Sequence, residues 1–252
     1  MTKKAPHPKQ KRLRLDKLLV EKKLVDSREK AQSYILAGIV FVNDQKISKS
    51  GTEVPEDSKI LIKTAPYSWV SRGGVKLDHA IKEFKIIVSE KTCMDVGAST
   101  GGFTDCLLYY GAKKVYAIDV GTNQLDWKIR KDRRVVVHEK TNFRYFQKSH
   151  IPEDIDLVVI DVSFIGLDKI LPHVTNFIHE ESDIIALIKP QFEAGKNDVP
   201  RGGIIRDPAM QTKVIEKIKT LCKDLKLKVQ GIIESPILGT AGNKEYLIYV
   251  KA

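Results

Sequence analysis

The 252-residue sequence predicts an α/β protein in which a doubly wound, mostly parallel seven-stranded sheet follows a small α+β module. Three observations carry that expectation. From residue 73 onward, short apolar runs alternate with stretches long enough for crossover helices, the order that builds a parallel sheet. The segment Cys93 to Phe103 passes from an apolar strand through a glycine-rich turn into a helix. Charge is also uneven: residues 1–63 hold 15 Lys and Arg against 8 Asp and Glu, which places +7 of the net +11 on a quarter of the chain. A chain of this length supports one sizeable core and one small module. We divide it into residues 1–63, a linker over 64–72 containing Pro66 and Ser71, and residues 73–252.

The elements follow in order. Leu15, Leu18 and Leu19 form the apolar stripe of a first helix, and Asp26-Ser27-Arg28-Glu29 resembles a capping box opening a second, which Gly38 stops. Ile39 to Val42, a turn at Asn43-Asp44, and Lys59 to Ile62 read as strands of a small sheet. In the larger part, strands begin near Cys93, Val115, Val135, Leu157 and Ile184. Asp207-Pro208 fits an N-cap and first-turn proline, opening a helix to about Lys223 with Val214, Ile215, Ile218 and Leu221 turned inward. Val229 to Ile233 and Tyr246 to Val250 can pair as an antiparallel hairpin. In such a sheet ligands lie beyond the carboxyl ends of the strands, where Asp95, Asp119, Asp161 and Lys189 all fall.

The glycine turn excludes the common phosphate binders. A Walker loop requires Lys after the glycine that follows four spacer residues, and Phe103 stands there. A dinucleotide fingerprint beginning at Gly97 requires glycines at positions 99 and 102, and Ser99 breaks it. The spacing suits S-adenosylmethionine better, because that ligand carries adenosine and a sulfonium cation and asks for close backbone approach and carboxylates. Asp95, Gly97, Ala98, Ser99, Gly101, Gly102 and Phe103 form the expected cradle, with Asp119 and Val120 at the end of the next strand for the ribose hydroxyls. An ordinary strand-to-helix turn beside an unrelated Asp is the alternative.

Composition narrows the function classes. Cys93, Cys106 and Cys222 are odd in number and lack paired spacing, which argues against a disulfide framework or a zinc site, and the six histidines are scattered, so no metal is expected. No apolar stretch approaches the roughly 20 residues that span a bilayer, and a cytoplasmic location without membrane insertion is expected. The basic N-terminal part points to a polyanionic partner, with Lys11, Arg12, Arg14, Lys17, Arg28 and Lys30 placed for a phosphate backbone. Any one of these alone is more readily a solvated surface charge than a contact; their clustering is what weighs.

Lys76, Asp161, Lys189 and Glu245 stand where core formation does not need them. Asp161 ends the run Leu157 to Ile160, and Lys189 ends Ile184 to Ile188, so both emerge from buried strands where an unpartnered charge is costly. Two lysines alternating with two carboxylates satisfy one another and also make a proton-handling site. A ribose hydroxyl needs such a site, since a positioned amine must take its proton as the oxygen attacks a sulfonium methyl. A salt-bridge network at the sheet edge is the bland alternative.

With these residues in place, the chain resembles the TlyA-type family, also called hemolysin A, which is similar to FtsJ-like ribose methyltransferases and carries an N-terminal S4-type RNA-binding domain. The resemblance covers nearly the whole chain. It rests on Arg14-Leu15-Asp16, Asp26-Ser27-Arg28, Val42-Asn43, Trp69 to Gly73, Asp95 to Phe103, Asp161 to Ile165, Lys189 to Glu193 and Gly242 to Tyr246. It implies a class I S-adenosylmethionine-dependent methyltransferase with a Lys76-Asp161-Lys189-Glu245 tetrad, acting on ribose 2′-hydroxyls of cytidines in ribosomal RNA or ribosomal subunits. Lys189 is then the general base, Lys76 and Glu245 orient it, and Asp161 bridges the lysines; Asn142 is a weaker candidate for the adenine pocket. Longer members carry a further C-terminal helix and are associated with both subunits, so an end at Ala252 favours a large-subunit target, with the small subunit open. A membrane-active hemolysin and a non-catalytic RNA-binding assembly factor are the competing readings.

Overall fold

The computed structural model describes residues 11–25, 27–36, 38–62, 69–195, 198–239 and 241–252, which form two compact units divided between Ser68 and Trp69. Residues 1–10, which hold the start of the basic extension, Asp26, and residues 64–68 of the expected linker lie outside the described residues.

In the first unit, β1 (Arg12–Arg14) runs into α1 (Leu15–Glu21), followed by α2 (Arg28–Leu36), β2 (Val40–Val42), β3 (Gln45–Lys46), β4 (Glu53–Pro55) and β5 (Ile60–Ile62). Leu15, Leu18 and Leu19 are buried against Ala31, Ile35, Val40, Val42 and Val54, the small core that the apolar stripe predicted. The α2 cap is Ser27, whose Oγ accepts the Lys30 N–H at 3.2 Å. Asn43 and Asp44 both adopt positive φ, 48° and 65°, the two-residue hairpin turn that matches strand twist and joins β2 to β3. The short pairings of β1 with β4 and of β2 with β3 were not visible in the sequence, because two- or three-residue strands carry no alternation.

The second unit opens with α3 (Gly73–Phe84) and continues through β6 (Thr92–Val96), α4 (Gly102–Tyr109), β7 (Lys114–Ile118), α5 (Trp127–Arg130), β8 (Val135–His138), β9 (Ile155–Ile160), α6 (Leu171–Val174), β10 (Ile178–Ile188), α7 (Pro190–Glu193), α8 (Pro208–Asp224), β11 (Lys228–Glu234) and β12 (Tyr246–Lys251). The sheet order is β11-β12-β10-β9-β6-β7-β8, with β6 to β10 parallel and β11 and β12 antiparallel, in agreement with the expected seven-stranded doubly wound sheet. Trp69 to Arg72, assigned to the linker from sequence, belong to this unit: the Val70 N–H donates to Asp105 at 2.9 Å, and Trp69 meets Tyr109 edge-on at 5.1 Å.

Alternation along each strand sorts the core into two layers. Met94, Val96, Val158, Ile160, Ile184, Ala186 and Ile188 pack with Val214, Ile218 and Cys222 of α8, while Cys93, Leu157, Val159, Ile185 and Leu187 pack with Leu77, Ala80 and Ile81 of α3 and Leu107 of α4. Ile215 and Leu221, expected to face inward, are half-buried; Cys222 takes the inner position instead. Asp207 caps α8 by accepting the Ala209 N–H at 3.0 Å.

Candidate active site

The parity that builds the core also assembles the polar cluster. Asp161 continues the series Leu157, Val159; Lys189 continues Ile185, Leu187; and Glu245 precedes Leu247 on the same face. All three therefore emerge toward the layer covered by α3, from β9, β10 and β12, which are neighbours in the sheet. Lys76 comes down from α3, one residue before buried Leu77.

The side chains meet. Lys76 Nζ lies 2.6 Å from Glu245 Oε2 and 3.8 Å from Asp161 Oδ2, while Lys189 Nζ lies 2.6 Å from Asp161 Oδ1. Lys76, Lys189 and Glu245 are 6%, 7% and 3% exposed, so the charges are held away from bulk water and must satisfy one another. Burial alone opposes ionisation of Asp161, but Lys76 and Lys189 outweigh it and hold this carboxyl below its ordinary value. Lys189 Nζ also donates to Ser163 Oγ at 2.9 Å, a contact that the sequence reading missed.

The glycine turn lies at the switch point, where β6 has β7 on one side and β9 on the other. Gly97 adopts φ 91°, and a Cβ there would lie 2.5 Å from the Asp161 carbonyl oxygen, so only glycine allows the turn to approach the end of β9. Gly101 caps α4 in the left-handed conformation, and a Cβ on Gly102 would lie 2.9 Å from the Gly74 nitrogen. Ser99 is also left-handed, and its N–H donates to Asp119 Oδ2 at 2.8 Å, while the Gly121 N–H donates to Oδ1 at 2.6 Å. Asp119 thus ties the turn to the end of β7 and retains two acceptor sites. Val120 beside it is exposed, and Ala98 is buried under the turn.

Two cradle residues are placed differently from expectation. Asp95 is fully buried behind the turn, accepting from Thr104 Oγ1 at 2.6 Å, because its parity points it toward α4. The Phe103 ring is packed in the core beside Gly73. Asn142 caps a short helical turn, accepting the Arg144 N–H at 3.2 Å, and lines a hollow of about 360 Å³ with His138, Thr141 and Tyr145.

Asp95 Oδ1 is buried behind the turn and has no hydrogen-bond partner among the described residues. Burial pushes this carboxyl up to about 7, against the pull of the Thr104 hydrogen bond. An acid whose folded pKa is raised contributes stability that is fully present below its unfolded value, about 4, and is lost as pH rises through about 7. Asp95→Asn is therefore expected to be more stable relative to wild type at pH 8 than at pH 5, by roughly 2–4 kcal/mol. Denaturant unfolding at the two pH values measures it, and an equal difference at both contradicts it.

One surface group went unassigned in the sequence. Phe164, three residues past Asp161, is 90% exposed and adopts φ 63°, a strained conformation for an aromatic residue. Its ring lies 5.1 Å from that of Phe192, over which Lys189 Nζ sits at 5.9 Å. An aromatic after a strand-end acid was the available signal, but exposure is decided only by the folded loop.

Among the described residues no helix is long and apolar enough to cross a membrane, and no group of His, Cys, Asp and Glu could hold a metal ion. Comparison with known proteins then places the chain. The FtsJ-like methyltransferase family model matches residues 69–252 and the S4 domain model residues 13–60. YqxC of Bacillus subtilis is 46% identical over 241 residues, covering 95% of this chain and 86% of that protein. A Mycobacterium tuberculosis protein named 16S/23S rRNA (cytidine-2′-O)-methyltransferase TlyA is 40% identical over 95% of this chain and 90% of its own length. A Campylobacter jejuni protein named 23S rRNA (cytidine-2′-O)-methyltransferase TlyA is 37% identical over 72% of this chain and 70% of its own. The solved structure of a Streptococcus thermophilus protein bearing a hemolysin designation superposes with TM-score 0.75 at 39% identity, covering 96% of this chain and 89% of that one. By these matches the chain belongs to the FtsJ-like methyltransferase family and carries an S4 domain ahead of the methyltransferase domain.

Proposed function

We propose that this protein methylates the 2′-hydroxyl of cytidine riboses in ribosomal RNA, using S-adenosylmethionine as donor. The observation that carries the reading is the buried chain Glu245–Lys76–Asp161–Lys189, which sets one amine at the carboxyl edge of the sheet beside the glycine turn. The first unit serves as the RNA-binding part, and the second, from Trp69 onward, as the transferase.

The donor fits the residues present. Gly97, Gly101 and Gly102 let the turn close tightly against its protein neighbours, and Asp119, which accepts from the Ser99 and Gly121 amides, keeps free acceptor sites for ribose hydroxyls. Gly97, Ala98, Ser99, Gly101, Gly102, Asp119 and Val120 would hold it, with Asp95 supporting the turn from behind, and when bound it supplies an electrophilic methyl group. Lys189, as the free amine, accepts the proton of the attacking hydroxyl, and Ser163 and Asp161 fix the position of its Nζ. Asp161 faces both lysines, and Glu245 engages Lys76, so two positive and two negative charges balance in the resting site, and Lys189 must release one proton before it can take that of the hydroxyl.

Phe164 extends the site toward a base. Stacking on an exposed ring needs no sequence readout and stabilises a splayed nucleotide. Phe164→Ala is expected to raise KM for RNA about tenfold while leaving cofactor binding unaltered; an unchanged KM contradicts that role.

Large-subunit RNA is the expected target, supported by the 23S RNA common to the names of two relatives. A cytoplasmic location accompanies this reading. The deciding experiment maps ribose methylation in both ribosomal RNAs from cells with and without the protein, alongside tritiated-methyl transfer to purified subunits. Loss of one or a few cytidine 2′-O-methyl marks on deletion is the expected result. Identical maps together with equal label incorporation by wild type and Lys189→Ala would reject it.

A further inference from the structure

The small unit contains a buried charge that its core does not require. Asp16, second residue of α1, is 0% exposed and lies between Leu15 and Leu18 in sequence, where an apolar residue would fill the space at lower cost. Its compensation is complete. Oδ1 accepts from Arg14 Nε at 3.1 Å and from the Lys17 N–H at 2.9 Å. Oδ2 accepts from Arg14 Nη2 at 2.8 Å, Arg28 Nη2 at 3.0 Å and Gln32 Nε2 at 3.1 Å. The Arg14 hydrogen bond, with those of Gln32 and Arg28, overcomes burial and holds this carboxyl well below the ordinary range.

Two arginines 14 positions apart, at the end of β1 and the start of α2, thus share one oxygen. Arg14 is held bidentately, the geometry that fixes a guanidinium plane. Their side chains are still 43% and 48% exposed, with donors left over: Arg14 Nη1 is not used by Asp16, and Arg28 commits one nitrogen to it. A surface arginine normally loses rotamer freedom when it grips a phosphate, whereas these two have lost much of it on folding.

We propose that Asp16 is a positioning residue for RNA binding, holding Arg14 and Arg28 side by side as a preformed pair of forks for the phosphate backbone. The proposal rests on the RNA-binding reading of this unit. It carries a distinctive sign. Removing a negative charge beside a polyanion should by itself tighten binding, whereas loss of positioning weakens it.

The test uses the full-length protein and end-labelled total ribosomal RNA over a salt series. Asp16→Asn is expected to weaken binding about tenfold, to lower the slope of log K against log salt by about one to two, and to raise KM for RNA more than it lowers kcat. In an Arg14→Gln/Arg28→Gln background it should add nothing. Binding that is unchanged or tighter in Asp16→Asn overturns the proposal, as does a loss that persists undiminished in the double-arginine background, which would mark a purely structural role. If the double-arginine variant binds like wild type, the premise about RNA fails, and the proposal with it. Should Asp16→Asn not fold, nitrogen-15 relaxation of the Arg14 and Arg28 Nε–H groups in the free wild type decides: order parameters near about 0.85 support the clamp, and values below about 0.6 overturn it.

Discussion

Replacing Lys189 with alanine is expected to lower kcat for methyl transfer by roughly 10²–10⁴-fold while cofactor affinity stays close to wild type. The reasoning is local. Lys189 Nζ is fixed by Asp161 at 2.6 Å and Ser163 at 2.9 Å, and it stands at the carboxyl edge of β10 beside the turn that would hold the donor. Lys189→Arg is the sharper probe. It keeps the charge opposite Asp161, but a guanidinium does not lose its proton in a protein and cannot act as a base. Arginine should therefore be as inactive as alanine despite preserving the ion pair. Substantial activity in Lys189→Arg, measured by tritiated-methyl incorporation into ribosomal subunits, would show that the residue supplies charge and not proton transfer.

Replacing Lys76 with methionine is expected to destabilise the second unit by about 3–5 kcal/mol, because it leaves a buried carboxylate without its partner. Glu245 is 3% exposed, and its one described side-chain hydrogen bond is that from Lys76 at 2.6 Å. Methionine fills a similar volume, so the loss reports the uncompensated charge and not a cavity. Adding Glu245→Gln in the Lys76→Met background should restore most of the stability, since the neutral amide can be buried at lower cost. Guanidinium unfolding of the single and double variants provides the check. A Lys76→Met protein as stable as wild type, or a double variant no better than the single, would show that the pair is not what holds Glu245 in place.

The fold was legible because its signals are local. The apolar runs Val115 to Ile118 of β7 and Leu157 to Ile160 of β9 are continuous, as expected of strands covered on both sides, and Asp207-Pro208 marked the start of α8 through a backbone rule that needs no tertiary context. The start of β10 at Ile178, six residues before the expected point, was hidden because His179, Glu180 and Glu181 interrupt its apolar pattern. The expected linker ran four residues too far, because Trp69 and Val70 are anchored by Tyr109 and Asp105, partners 40 and 35 positions away.

What the sequence by itself determined is which residue types stand at the strand ends, and therefore that Asp95, Asp119, Asp161 and Lys189 lie along one edge of the sheet. Parity and the carboxyl-end rule follow from backbone geometry alone. What the tertiary structure decided is how those groups are partnered: Asp95 turned into the protein against Thr104, Asp119 engaged by the Ser99 and Gly121 amides, Arg14 and Arg28 gathered on Asp16, and Glu245 brought to Lys76 from 169 positions away. Partnership depends on distances between segments remote in the chain, set by strand order and helix packing, and no local pattern of residues encodes them.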